Sequence, residues 1–144
     1  MNKLFILIIF LLVIAPKSLF ADSKIVIIVN KENSLTNVAY DDLVKIFKQD
    51  KKYWPDGKKI YLAMHESGSI EKKFVLEKIY KMNEQDLKKF WLSKIFKGDI
   101  ESFPKTFASN DSMKIFVNRV TGAVGYITEE ALDDTVKVLK VEGI

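Results

Sequence analysis

The chain has 144 residues, 23 lysines and arginines against 19 aspartates and glutamates, one histidine and no cysteine. A formal charge of +4 without any basic run leaves no electrostatic footprint for nucleic acid. The missing cysteines exclude a disulfide framework, thiol catalysis and cysteine-ligated metal, and a lone histidine argues against a transition-metal site.

Lys3 precedes an unbroken apolar run over residues 4–15, followed by Pro16, Lys17, Ser18 and the stretch LFADS. A basic start, a short apolar core and small residues at the exit are the layout of a secretory leader, and the run is shorter than the roughly 20 residues a membrane-spanning helix needs. Cleavage is expected after Ala21. Residues 1–21 then form a signal peptide and residues 22–144 a single exported, periplasmic or otherwise extracytoplasmic domain without a membrane span. An uncleaved N-terminal anchor is the alternative, because Leu19 is large for its place in such a site. Removing Lys3 and Lys17 brings the charge to +2.

The next stretch, KIVIIVN at residues 24–30, is β-branched without polar alternation and reads as a strand buried on both faces. A polar loop, KENSLTNV, follows. Tyr40, Leu43, Val44 and Phe47 recur at i, i+3, i+4, i+7, one face of a helix. YWPDGKK has the chemistry of a tight turn, with Trp54 expected to pin it. KIYLAM reads as a second strand. Residues 70–82 follow a helical pattern with Phe74, Val75, Ile79 and Met82 on one side. Asn83, with Asp86 three residues on, reads as the cap of a helix that buries Leu87, Phe90, Trp91 and Ile95 and ends at Gly98. DIESFPKTFAS reads as a loop. Asn110 or Asp111 is expected to cap a helix with Met113, Phe116, Val117 and Val120 on its inner face. TGAVGYI reads as a turn entering a strand, and TVKVLKVEG as an alternating strand at a sheet edge. The alternation of strands and helices predicts an α/β layered domain, a mainly parallel sheet flanked by helices.

Ser67-Gly68-Ser69 stands between a predicted strand and a predicted helix. Two readings are open. Helix starts carry unpaired N–H groups and the positive dipole end, glycine lets backbone approach a ligand, and two hydroxyls add donors, which suits a tetrahedral oxyanion. Alternatively Ser67 or Ser69 is an ordinary N-cap, the commoner outcome for that spacing alone, and Glu66 repels an anion. His65 is the only group expected to titrate near neutrality, and a surface or capping histidine is expected. An enzymatic reading would have to run through His65 and a neighbouring serine, and nothing else completes a triad.

Four stretches, DDLVKIFKQDKKYWPDGKKI, SGSIEKKFV, LKKFWLSKIFKG and VTGAVGYI, resemble the phosphate-binding proteins of ABC transporters in order and spacing. The resemblance runs over about residues 25–127. Its most specific pieces are the IF, turn and W-x-D-G segment and the piece from Thr121 to Tyr126. It implies the fold of one lobe of a class II periplasmic binding protein. It also implies phosphate or a similar small oxyanion as ligand, with Ser67, Gly68 and Ser69 standing where the family has its S-G-T-like anion motif and His65 beside them. The function implied is a solute-binding module, not an enzyme, with no cofactor and no metal. An ABC permease or another protein is the implied partner, and a homodimer is one way to supply a second wall. Two departures accompany it. The chain resembles only the lobe inserted between the hinge strands, and Ala63 stands where the family places its phosphate-clamping arginine. These departures motivate the alternative, a structural or interaction module that kept the lobe and lost the ligand.

Overall fold

The computed structural model describes residues 23–143, so the expected leader lies outside the described residues. In chain order the elements are β1 (Ile25–Val29), β2 (Asn37–Ala39), α1 (Tyr40–Phe47), β3 (Tyr61–His65), α2 (Ile70–Val75) and a π-helical turn (Leu76–Tyr80). They continue with α3 (Glu84–Phe96), β4 (Lys105–Phe107), α4 (Asn110–Arg119), β5 (Ala123–Thr128), a 3-10 turn (Glu129–Ala131), β6 (Lys137–Val138) and β7 (Lys140–Glu142).

Five strands form one sheet in the order β4-β3-β5-β1-β6. β4, β3 and β5 run parallel, while β1 runs antiparallel to both β5 and β6. The expected mainly parallel sheet is present, with one reversed strand inside it. β2 and β7 pair separately, in parallel. The β-branched run of β1 is buried along Val26, Ile27, Ile28 and Val29, as its lack of alternation predicts. Ile27 and Val29 face one layer, with α1, α2 and α3; Val26 and Ile28 face the other, with α4. The domain is therefore a three-layer sandwich with unequal helical sides.

Local chemistry accounts for most boundaries. Asp41 and Asp42 occupy the first turn of α1, where its dipole favours them. The Asn83 side chain accepts the Asp86 N–H, capping α3 as its sequence predicts. Five expectations need correction. The expected polar loop KENSLTNV contains Asn37 and Val38 of β2. The predicted helix over residues 70–82 leaves α-geometry at Val75, continues as a π-turn, and stops at Lys81, whose φ is +52°. The cap of α4 is Ser109, neither Asn110 nor Asp111: Ser109 and Ser112 form a reciprocal capping box. The expected loop between α3 and α4 contains β4. The last predicted strand is broken at Leu139 into β6, at the edge of the main sheet, and β7, in the other pair.

Trp54 is buried, and its indole N–H donates to the Gly122 carbonyl at 2.9 Å, which also accepts the Tyr61 N–H at 3.1 Å. The Trp-Pro-Asp-Gly turn is thus tied to the entry of β3 and β5. At Gly122 a Cβ would lie 1.8 Å from the Lys59 carbonyl oxygen, so only glycine fits. Gly122→Ala is expected to lower stability by about 3 kcal/mol or more, because backbone must move to admit one methyl group; urea unfolding monitored by tryptophan fluorescence measures it.

Candidate functional site

β3, β4 and β5 end together at one edge of the sheet. The loop after β3 leads to α2 on one face, and the loop after β4 leads to α4 on the opposite face. Loops that part in this way leave a crevice at the carboxyl ends of the strands, the usual ligand position in open α/β sheets. The Glu66 N–H donates to the Phe107 carbonyl at 3.0 Å and ties the two loops at their base.

Ser67-Gly68-Ser69 forms the turn at this crevice. Ser67 and Gly68 are exposed. Gly68 has φ +89°, a left-handed conformation that favours glycine, and the space where its Cβ would sit is open to 4 Å. Ser69 has a defined structural task. Its hydroxyl accepts the Lys72 N–H at 3.1 Å and donates to the Glu66 carbonyl at 3.0 Å, so it is the N-cap of α2. The cap reading therefore holds for Ser69, and the exposed donors of the turn come from Ser67 and Gly68.

The charges around the turn do not form a cationic site. Glu66 is exposed. Lys72 is buried, with its ammonium 3.6 Å from the Glu84 carboxylate and 3.5 Å from the His65 carbonyl. Ala63 is fully buried in the layer against α4. Arg119, the only arginine, closes α4 at the end opposite the crevice, about 15 Å of helix away. Among the described residues no group of acidic or histidine side chains is placed to hold a metal.

His65 is not at the surface as expected: it is 1 % exposed. Its Nε2 lies 3.0 Å from the Tyr126 carbonyl oxygen and its backbone N–H donates to the Tyr126 hydroxyl at 2.9 Å. A carbonyl only accepts, so Nε2 carries a proton in this arrangement. Burial pushes the imidazole below its ordinary pKa; the nearby Glu71 carboxylate and the Tyr126 carbonyl pull it back up, and Lys72 pushes it down further. Burial also pushes the Tyr126 hydroxyl well above its usual range. The pair is a neutral, hydrogen-bonded packing unit under the turn.

The β4–α4 connection brings Ser109 and Asn110 to Thr128 at the end of β5, none of them marked as a site residue by the sequence. Asn110 Nδ2 donates to the Thr128 hydroxyl at 3.1 Å, while Asn110 Oδ1 is buried with no partner among the described residues. The serine pair spaced by three at 109 and 112 was the available sequence signal for this helix start.

No protein-family model matches the sequence, and no curated protein matches it. Solved structures do. An ABC-type phosphate transport receptor from Vibrio cholerae superposes with a TM-score of 0.66 at 22% identity, over 85% of this chain and 47% of the receptor. PstS from Borrelia burgdorferi superposes with a TM-score of 0.64 at 15% identity, over 84% of this chain and 48% of that one. The chain has the fold of one lobe of a phosphate-transport receptor. It spans about half the length of the structures it matches.

The buried imidazole makes stability depend on pH. Its folded pKa lies below the unfolded value of about 6.5, so between the two the unfolded chain binds more protons. Stability is expected to fall as pH drops through about 6.5 and to stop falling from this cause below the folded pKa. Urea midpoints at half-unit intervals from neutrality downward check this. His65→Gln, which keeps a donor at the Nε2 position without titrating, should flatten the slope in that window.

Proposed function

We propose that this domain is a non-enzymatic solute-binding module that holds phosphate, or a similar small tetrahedral oxyanion, at the Ser67-Gly68 turn. The observation that supports the reading most is the placement of that turn. An exposed, left-handed Ser-Gly pair sits at the switch crevice of a chain with the fold of a phosphate receptor lobe. Backbone N–H groups of the turn and the Ser67 hydroxyl are the donors. His65 supports the turn from beneath in its neutral form. The ligand undergoes no chemistry, in keeping with His65 hydrogen-bonding to Tyr126 and not to a serine. Export by the N-terminal leader and delivery of the anion to an ABC permease belong to the same proposal.

Binding by a single lobe is expected to be weak. The position of the family's clamping arginine is filled by buried Ala63, so the bidentate, charge-assisted pairing of a guanidinium is absent from that place. One face of the anion stays hydrated, and a second copy of the chain or a partner protein would supply the other wall.

Calorimetric titration of the purified protein with phosphate, and with sulfate for comparison, tests this. Saturable phosphate binding with Kd below about 10 mM, lost in Ser67→Ala and in Gly68→Val, is the expected result. Absence of saturation up to that concentration would overturn the anion reading in favour of a module that has kept the lobe and lost its ligand. Ser69→Ala serves a different purpose. Losing the α2 cap should cost about 1 kcal/mol of stability, measured by urea unfolding, so any change it makes in binding must be separated from that loss.

A further inference from the structure

A cleft of about 1200 Å³ lies between the start of β1, the α2 segment and β7, with Ile70 in its lining. Its floor is apolar, formed by Ile25, Phe74, Ile79, Leu139 and Val141. Its rim carries Lys24, Lys73, Lys78 and Lys140 against Glu77 alone. Lys24 pairs with Glu129 at 3.6 Å, whereas Lys73 and Lys78 form no ion pair among the described residues.

Among the described residues, one wall of the cleft is an unfinished strand edge. β6 pairs with β1 only at Ile28 and Val29, and a last bond runs from the Leu139 N–H to the Ile27 carbonyl at 2.9 Å. Beyond it the chain turns into β7 and joins β2. Ile25 has Thr128 of β5 on one side and the cleft on the other. Antiparallel ladders alternate, so Ile25 directs its backbone N–H and C=O the same way as Ile27, into the cleft.

We propose that this cleft docks an extended, acidic, amphipathic segment of a partner protein, laid as an added strand along the free edge of β1. Three features converge on that occupant. The N–H and C=O of Ile25 offer the next rung of the ladder, the apolar floor takes alternate side chains, and the lysine rim takes carboxylates on the others. The volume exceeds the roughly 300–1000 Å³ of small-ligand pockets and suits several residues of chain. An anionic amphiphile matches the floor and the rim but not the strand edge. The proposal does not depend on the anion reading.

The test is fluorescence anisotropy of a labelled short peptide alternating glutamate with valine, titrated with the purified protein. Saturable binding with Kd below about 1 mM is expected, at least about tenfold tighter than for the matching lysine–valine peptide and weakened by added salt. Lys73→Glu with Lys78→Glu, both exposed, should weaken binding about tenfold or more without changing the thermal midpoint. N-methylating the peptide backbone on one edge should abolish binding and on the other leave it intact. Absence of saturation, equal binding of the two peptides, or equal tolerance of both methylation patterns would each overturn the proposal. Binding of decanoate in place of the peptide, sensitive to the lysine reversal, would assign the cleft to an amphiphile instead. Phosphate should not displace the peptide; if it does, the cleft and the crevice are one site and the proposal fails.

Discussion

Between β3 and β5 the backbone ladder runs through Leu62 and Val124, yet both strands continue past that point. Tyr126 bridges the two strands beyond the ladder. Its carbonyl meets the His65 ring and its hydroxyl takes the His65 N–H, so a side chain replaces the ladder partner. The Tyr126 ring packs 5.9 Å from Phe47 of α1, and the Tyr80 hydroxyl donates to the Phe47 carbonyl at 2.7 Å. β3, β5, α1 and the π-turn therefore share one buried aromatic and polar junction. Leaving any of these polar groups unpaired would cost about 1–3 kcal/mol, which makes the junction both stabilising and geometrically specific. It also fixes where β3 stops and so where the turn at Ser67 begins.

Patterns longer than about two turns were legible. α1, α3 and α4 each show a stripe at helical spacing, and β1 shows a dense β-branched run, so burial left a periodic record in the residues. Segments stabilised mainly by their neighbours left none. β2 and β4 are three residues each, with exposed positions at the ends of β2 and the start of β4, and they are strands only because β7 and β3 lie beside them. The π-turn keeps Ile79 facing the core in line with Val75 of α2 and so resembles uninterrupted α-helix in sequence, since inserting one residue shifts the stripe without erasing it. The burial of His65 is hidden because the apolar pattern of its strand ends at Met64. One more residue of β3 carries the ring under Tyr126, and nothing in the local sequence records a partner 61 positions away.

The site shows a similar division. Ser67-Gly68-Ser69 was legible as a helix start with hydroxyls and a glycine, and the structure separates its members. Ser69 satisfies the first turn of α2, whereas Ser67 and Gly68 remain outside the cap. The second loop at the crevice was not legible as part of a site, because Ser109, Asn110 and Thr128 meet only through the placement of β4 and β5 on either side of β3.

Charge is distributed differently at the Ser67 turn and in the cleft. At the crevice the nearest buried cation, Lys72, is already held by Glu84, and Glu66 is exposed at the turn. In the proposed anion site the donors are N–H and hydroxyl groups that act only within a few ångströms, so capture there would depend on fit and on a second wall. In the lysine-rimmed cleft the balance is reversed. Lys73 and Lys78 project a field over roughly a Debye length, about 8–10 Å near physiological salt, before any contact forms. For the proposed acidic segment, that field would steer encounter, and the apolar floor and the edge of β1 would set specificity.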